Sequence, residues 1–278
     1  MPRSAAAAAA SADLDAIAAE VFATLGAGRQ IAPFTSRPAG LPLGESYRVS
    51  AKLNALRERR GERRRGRKIG FTNRTIWAQY GVYAPIWGHV YDTTVHDLAD
   101  TPVLPLDAFA EPRIEPEIVF GLRAAPAPDM DEAALLSCLD WVAHGFEIVQ
   151  SIYPQWTFAA ADTIACNGLH GALLIGTRHA IAPRAEAWRD MLPHFAIDLF
   201  CNGDMIDRGS AANVMEGPVS ALRYLAALLA GDTDNPPLAA GEIVTTGTLT
   251  RAMPVKAGET WTTALRGIPL DGISLRFT

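Results

Sequence analysis

Two glutamates lie two residues apart inside a run of strand-forming residues, Arg113-Ile114-Glu115-Pro116-Glu117-Ile118-Val119-Phe120. Side chains two apart in a strand project from the same face, so both carboxylates reach one place. Neighbouring like charges in an apolar strand are destabilising unless something offsets the repulsion. A divalent cation would do so, because hard cations take carboxylate oxygens. The alternative is an edge strand whose glutamates face solvent, and the pair alone does not decide between the two.

A third glutamate stands in a similar apolar context further along the chain. Glu147 lies in Gly145-Phe146-Glu147-Ile148-Val149, a run typical of a buried strand. A carboxylate flanked by Phe146 and Ile148 is costly to bury unless it is paired or bound to a metal. We therefore group Glu147 with the first two glutamates.

The bulk composition restricts the class of protein. The 278 residues are 49% hydrophobic and 20% charged, which suits a globular chain with a substantial core. The net charge of -5 argues against a nucleic-acid partner. Three widely separated cysteines, Cys138, Cys166 and Cys201, exclude a disulfide scaffold or zinc ribbon and fit a reducing compartment.

No targeting or membrane segment is expected. The start of the chain carries six alanines but no leucine-rich core, and Asp13, Asp15 and Glu20 follow soon after. No apolar span of about 18 residues occurs elsewhere. We predict a cytoplasmic protein that binds no membrane, with a frayed alanine-rich start.

The pattern along the chain predicts a helical beginning and a β-rich remainder. Apolar spacing predicts helices from Asp13 to Leu25 and from Glu45 to Arg60. A helix capped by Asp129 or Asp131 is predicted to carry Leu135, Leu136, Leu139 and Val142. Asn202-Gly203 indicates a hairpin, and Gly217-Pro218 opens a further helix. We predict a helical region over residues 1–66 and a β-rich catalytic domain over residues 67–278.

A run of charged residues from Arg57 to Lys68 admits two interpretations. Clustered arginines are typical of a nucleic-acid contact, but a solvated helix end and loop fits an acidic protein better. Lys68 differs from its neighbours because Ile69-Gly70-Phe71-Thr72 follows it directly. A lysine at such a strand-to-loop transition can point inward.

Two further segments carry candidate polar groups. Gly88-His89-Val90-Tyr91-Asp92 places a carboxylate after a short extended run, where it could line a pocket. Asn167-Gly168-Leu169-His170-Gly171 suggests backbone close to a ligand, although a plain turn would look similar. For both His89 and His170 a hydrogen-bonded structural role is an equal alternative to a catalytic one.

Seven segments in order resemble one known family, from about residue 28 to the C-terminus. The segments are Lys68-Ile69-Gly70, Gly88-His89-Val90-Tyr91-Asp92, Ile114-Glu115-Pro116-Glu117, Glu147-Ile148-Val149, Asp162-Thr163-Ile164-Ala165, Asn202-Gly203 and Gly241-Glu242-Ile243-Val244-Thr245-Thr246-Gly247. The order resembles the fumarylacetoacetate hydrolase superfamily. Glu147 at the third ligand position resembles its 2-keto-4-pentenoate hydratase and 4-oxalocrotonate decarboxylase branch, because hydrolases of the superfamily usually carry Asp there.

The resemblance implies an α+β, β-rich fold, with a mixed sheet or barrel core and a smaller helical N-terminal region. It implies that Glu115, Glu117 and Glu147 hold Mg²⁺ or Mn²⁺, and that main-chain groups around Ile114 touch the substrate. Lys68 and Asp92 would be polar groups facing the substrate. Further candidates for substrate contact are Asn167, Leu169 and Thr246, and His170 is a candidate acid or base. A homo-oligomer is also implied.

Two departures from the family pattern bear on the reaction. Hydratases commonly show two acids after the Gly-His segment, whereas here Asp92 is followed by Thr93. Their Ala-Asp-Asn-Ala-Ser is replaced by Ala165-Cys166-Asn167-Gly168-Leu169, so a leucine takes the place of the serine.

The resemblance implies a hydratase that adds water to a 2-hydroxy-2,4-dienoate and gives a 4-hydroxy-2-oxo acid. The alternative is a metal-dependent decarboxylase of a vinylogous 2-oxo acid of the 4-oxalocrotonate type, since it shares the enolate step. An acylpyruvate-type C–C hydrolase comes next. A fourth hypothesis, from a different class, is a non-catalytic binding protein.

Overall fold

The computed structural model describes residues 12–278, apart from the side chains of Ile76, Gln79 and Tyr80. The alanine-rich start predicted to be frayed lies almost entirely outside the described residues. Helices α1 to α7 span Leu14–Thr24, Leu43–Arg59, Trp77–Tyr80, Glu132–Ser137, Ala160–Ala165, Ala185–Met191 and Pro218–Ala230. Short 3-10 turns cover Phe34–Ser36, Arg74–Ile76, Pro154–Trp156, Asn167–Leu169, Ala182–Arg184 and Ala211–Asn213.

Strands make up most of the remaining regular structure. Strands β1 to β7 span Arg64–Gly70, Ile86–Tyr91, Val95–Asp97, Val103–Leu104, Arg113–Leu122, Leu139–Val149 and His170–Ile175. Strands β8 to β14 span His179–Ala180, Ala196–Cys201, Asp204–Ser210, Ile243–Thr248, Met253–Pro254, Thr260–Arg266 and Ser274–Phe277. The fold is therefore β-rich and mixed, as predicted.

Within residues 12–278 the strands form two mixed sheets. The larger, nine-stranded sheet runs β2-β1-β11-β5-β6-β7-β3, with β12 beside β5 and β8 beside β6. The smaller sheet runs β10-β9-β13-β14-β4. In the larger sheet β1 pairs with β11 and β3 with β7 in parallel, while β5 and β6 form a long antiparallel pair at its centre.

Successive side chains of β5 point alternately into the hydrophobic core and to the face that carries the glutamates. Ile118 and Phe120 pack in a hydrophobic cluster with Leu222 and Leu225 of α7. Ile114 instead packs with residues of the smaller sheet, such as Leu275. Residues of β5 with even numbers therefore enter the core, because alternate side chains of a strand point to opposite faces. The odd-numbered Glu115 and Glu117 are left facing the other way.

The N-terminal helices share a core with the segment that follows Glu147. Val21 of α1 and Leu53 of α2 are fully buried and cluster with Tyr153 and Ala165. The predicted boundary between residues 66 and 67 falls inside β1. The division into two domains stays a prediction, and the packing argues that the two parts fold together.

The charged run and one predicted helix differ from expectation. Arg57 is buried, pairs with Glu62 at 2.6 Å and lies over the Tyr91 ring, and Arg67 is buried beside Glu242. Paired guanidinium groups tolerate burial, so this run is not simply a solvated loop. The helix expected to reach Val142 ends at Ser137, because Leu139 and Val142 belong to β6. Among residues 12–278, no helix is long and apolar enough to cross a membrane.

His89 of β2 couples the stability of the fold to pH. The ring is completely buried and stands edge-on to Trp87, with 5.3 Å between ring centroids. Burial lowers the pKa of His89 well below its usual range, and the nearby charge of Arg67 adds to the effect. The native state thus keeps the ring neutral, while the unfolded chain takes up a proton below about pH 6.5. Stability is consequently lost as the pH falls through that value.

We expect His89 to add up to about 1.4 kcal/mol per pH unit to the slope of the free energy of unfolding against pH between about pH 5.5 and 7.5. His89→Gln should flatten this slope. Val90→Ala, a neighbouring buried change without a titratable group, should lower stability and leave the slope intact. Urea denaturation across the pH series measures both. An unchanged slope in His89→Gln contradicts the assignment.

Candidate metal centre and active site

Three carboxylates meet on one face of the β5–β6 pair, the face opposite Ile118 and Phe120. Glu115 lies directly opposite Glu147 in the register, and Glu117 lies two residues further along the same strand. One oxygen from each of the three falls within 4.8 Å of the others. Glu117 and Glu147 are completely buried, whereas Glu115 keeps some exposure. The solvated edge-strand alternative is therefore excluded.

Hydrogen bonds orient two of the three carboxylates. Glu117 Oε2 accepts from the backbone N–H of Gly247 at 2.8 Å, at the end of β11. Glu147 Oε1 lies 2.8 Å from His170 Nδ1, and its Oε2 lies 3.3 Å from Lys68 Nζ. Glu117 Oε1 is buried and has no hydrogen-bond partner among the described residues. Glu147 Oε2 has no hydrogen-bond partner either, but the Lys68 ammonium lies near it, so Glu117 Oε1 is the oxygen that still requires an electropositive partner.

The charges of the cluster depend on one another. Burial raises the pKa of Glu115 to about 7, and it raises the pKa of Glu117 well above the usual range, reinforced by the neighbouring carboxylates. Burial alone would do the same to Glu147, but the Lys68 ammonium and His170 outweigh it and lower the pKa of Glu147. Burial would likewise lower the pKa of Lys68, yet the glutamates raise it. Lys68 and Glu147 are thus an ion pair.

The donor set fits a hard divalent cation. Three carboxylates converge, two of their buried oxygens accept no hydrogen bond, and carboxylate oxygens are the ligands that Mg²⁺ and Mn²⁺ prefer. A cation here would replace the protons that burial favours on Glu115 and Glu117, because metal ligands must be deprotonated.

Lys68 is held in place by an unusual loop. Its Nζ donates to the carbonyl oxygen of Gly168 at 3.0 Å, and its side chain is buried. Asn167, Gly168 and Leu169 all have φ between 63° and 65°, the left-handed region that favours glycine. A Cβ on Gly168 would lie 2.9 Å from Lys68 Cδ, so the close approach also requires glycine. Such local strain is typical of functional sites.

A cavity of about 150 Å³ opens beside the cluster. Lys68 and Glu115 line it and so join it to the buried carboxylates. Its apolar walls come from Phe71, Ile86, Val149, Trp156, Phe158 and Leu169. A small cavity with apolar walls and a few converging polar groups is typical of a small-molecule site.

The remaining predicted contacts fall in different places. Leu169 lines the cavity; the Ile114 side chain is fully buried in the core, but Arg113 and Glu115 on either side line the cavity, so a main-chain contact there stays a prediction. Asn167 uses both ends of its amide on His89, accepting from its N–H and donating to its carbonyl at 2.6 Å each. Thr246 donates to the carbonyl oxygen of Ile118 at 3.0 Å. Asn167 and Thr246 therefore brace the backbone around the site instead of facing the cavity.

The structure does not bring Asp92 to the cavity. It is exposed in the turn after β2, and its carboxylate accepts from the N–H of Arg63 at 2.9 Å. The end of a strand can direct a side chain to either side of the sheet, and this turn directs Asp92 outward.

Sequence reasoning missed Arg113. It lines the cavity, and its guanidinium carbon lies 4.0 Å from the centroid of the Trp156 ring. The signal was available, because Arg113 precedes Glu115 by two residues and so shares its face of the strand. Trp156 and Gly247 carried no comparable signal, since loop packing and backbone donors are not visible in a sequence.

Comparison with known proteins agrees with the fold and identifies the family. The chain is 28% identical to a 2-hydroxyhexa-2,4-dienoate hydratase of Comamonas testosteroni, over 93% of this chain and 95% of that protein. It is 30% identical to a 2-keto-4-pentenoate hydratase of Burkholderia vietnamiensis, over 91% and 93%. No protein-family model matches the sequence.

Among solved structures, the 4-oxalocrotonate decarboxylase of Pseudomonas putida G7 superimposes with a TM-score of 0.85 at 25% identity. The match covers 95% of this chain and 97% of that one, which was solved with magnesium and adipate. The fold is that of the fumarylacetoacetate hydrolase superfamily. Within it, the chain belongs to the 2-keto-4-pentenoate hydratase and 4-oxalocrotonate decarboxylase family, whose members are lyases. The predicted family and enzyme class are confirmed.

Glu117→Gln tests the ligand assignment. The amide keeps the shape of the side chain but removes the charge next to the unpartnered oxygen, so we expect Mn²⁺ binding to be lost in calorimetric titration of chelator-treated protein. Glu186→Gln, on an exposed position of α6, is the matched control and should bind like the unsubstituted protein. Unchanged affinity in Glu117→Gln refutes the assignment.

Proposed function

We propose that this protein is a divalent-metal-dependent hydratase that converts a 2-hydroxy-2,4-dienoate into a 4-hydroxy-2-oxo acid. The observation that carries the proposal is the cluster of three glutamates with the Lys68 ammonium 3.3 Å from one of them, at the wall of a mostly apolar cavity. The relatives named as hydratases support the same reaction class.

Glu115, Glu117 and Glu147 would hold Mg²⁺ or Mn²⁺. Bound there, the cation supplies positive charge that stabilises the oxyanion of an enolate. The substrate's carboxylate and C2 oxygen would therefore lie at the Glu115 end of the cavity. Its hydrocarbon chain would lie against the apolar walls, which orient it and limit the access of bulk water.

Lys68 is the proton donor in this arrangement. Its ammonium is maintained by the three glutamates, and it lines the cavity beside the cluster. During hydration the C2 hydroxyl of the dienoate loses a proton while C5 gains one, and water then adds to the conjugated ketone, its oxygen at C4 and a proton at C3. Lys68 would deliver the first proton and recover one from the attacking water, while the Gly168 carbonyl keeps its Nζ in place.

Lys68→Met tests this role. We expect kcat for hydration of 2-hydroxypenta-2,4-dienoate to fall by about 10²-fold or more, because a positioned proton donor contributes 10²–10⁴-fold. Mn²⁺ should still bind, since removing a neighbouring cation does not weaken a cation site. The assay follows the loss of dienoate absorbance, with calorimetry for the metal. Unaltered kcat with intact metal binding eliminates Lys68 as donor.

A decarboxylase is the second candidate, and Arg113 favours it. A vinylogous 2-oxo acid of the 4-oxalocrotonate type carries a second carboxylate at its far end. Arg113 places a guanidinium on the cavity wall two residues from Glu115, on the same face of β5. The structurally similar decarboxylase was solved with adipate, a six-carbon dicarboxylate. When the distal carboxylate leaves as carbon dioxide, the electron pair of the broken C–C bond would pass through the conjugated chain to the C2 oxygen and give an enolate of the same kind.

Assays of 2-hydroxypenta-2,4-dienoate and 4-oxalocrotonate with Mg²⁺ and with a chelator separate the two reactions. For the hydratase we expect metal-dependent turnover of the monoacid. If the diacid is the substrate, Arg113→Gln should raise its KM about tenfold, the effect of losing one charge-assisted hydrogen bond. Arg113→Lys, which keeps the charge, should recover part of this. Metal binding without turnover of either compound would indicate a non-catalytic binding protein.

The choice of metal, the homo-oligomer and a cytoplasmic location belong to the same proposal. Hard oxygen ligands favour Mg²⁺ or Mn²⁺ over softer ions. The three candidate metal ligands, Lys68 and the cavity walls described above all come from one chain.

A further inference from the structure

His170 joins the carboxylate cluster to a threonine in the turn after β2. The ring is buried, with Nδ1 at 2.8 Å from Glu147 Oε1 and Nε2 at 2.9 Å from Thr94 Oγ1. Both ring nitrogens are therefore occupied by protein. His170 is not placed to exchange protons with a substrate, unlike the acid or base role considered from the sequence.

The direction of these hydrogen bonds follows from counting donors. Glu147 is ionised beside Lys68, so its oxygens only accept, and Nδ1 of His170 must carry the proton. In a neutral ring Nε2 is then an acceptor, and the Thr94 hydroxyl must donate to it. The opposite tautomer would set the Nδ1 lone pair against the carboxylate.

Backbone contacts hold Thr94 in position. Its carbonyl oxygen accepts from the N–H of Leu173 at 2.8 Å, in the strand that His170 begins. Its Oγ1 accepts from the N–H of Tyr91 at 3.1 Å. The carbonyl of Tyr91 lies 3.2 Å from Oγ1 and is the other acceptor in reach, but the 2.9 Å contact to His170 is shorter. The Thr94 hydroxyl is thus held next to Nε2 of His170, on the side of the ring remote from Glu147.

We propose that Thr94 and His170 are positioning residues: the Thr94 hydroxyl fixes the tautomer of His170, whose Nδ1–H fixes the carboxylate of Glu147 for metal binding. This inference rests on the proposed three-glutamate metal site. With Oε1 held by His170, Oε2 is directed toward Lys68. Groups that orient a metal ligand in this way contribute about 10–100-fold to metal affinity.

A double-mutant cycle separates tautomer control from general packing. Thr94→Val removes the hydroxyl at nearly constant volume, and Thr94→Ser retains it as the matched control. His170→Asn places an amide N–H where Nδ1–H stands and has no tautomer to choose. The readout is the Mn²⁺ dissociation constant of chelator-treated protein, measured by calorimetry.

We expect Thr94→Val to weaken Mn²⁺ binding about tenfold, and Thr94→Ser to bind like the unsubstituted protein. In the His170→Asn background, Thr94→Val should have no further effect. A ¹⁵N NMR spectrum of the Mg²⁺-loaded protein should show the Nδ1–H tautomer of His170, a measurement that needs no substitution.

Three results overturn the proposal: equal losses from Thr94→Val in both backgrounds, unchanged affinity in Thr94→Val, or the Nε2–H tautomer. In all three the unsubstituted protein binds Mn²⁺, so the metal site itself stands. Absence of Mn²⁺ binding by the unsubstituted protein overturns the metal site, and with it this inference.

Discussion

The direct opposition of Glu115 and Glu147 across β5 and β6 is the constraint on which the site depends. Like charges facing each other in a sheet are destabilising, and a buried carboxylate costs several kcal/mol when nothing compensates it. The surrounding chain compensates from several directions: Lys68 comes from β1, His170 from β7, and the Gly247 N–H from β11. The order of strands in the larger sheet is what brings these groups together.

The loop at Asn167–Leu169 carries the conformational cost of this arrangement. Three successive residues adopt positive φ, two of them without the freedom of glycine. In return the loop presents a carbonyl to Lys68 and the Leu169 side chain to the cavity. Asn167 makes the loop rigid by bonding both polar groups of the His89 backbone. Asn167 therefore supports the position of Lys68 and does not contact the cavity. The sequence alone cannot distinguish such a supporting asparagine from one that binds a ligand.

The sequence was informative where a local rule decides where side chains point. The period of two along a strand placed Glu115 and Glu117 together, and the cost of burying Glu147 between Phe146 and Ile148 brought in the third carboxylate. The same period would have identified Arg113. Asp92 follows the end of β2, where the turn decides the direction, and no local rule describes that turn. Likewise the burial of Arg57 depends on Tyr91 and Glu62.

The two departures from the family pattern each adjoin one residue of a hydrogen-bonded pair. Thr93 and Leu169 stand 76 positions apart, yet each precedes one member of the Thr94–His170 pair. The Thr93 hydroxyl donates to Glu62 at 2.7 Å. The turn after β2 is therefore hydrogen-bonded to the buried ion pair between Glu62 and Arg57 of α2. Hydrogen bonds join Glu62 to Thr93, and its chain neighbour Thr94 is joined through His170 to Glu147. The helical N-terminal region is therefore part of the support of the metal ligands, and its packing bears on the geometry of the carboxylate cluster.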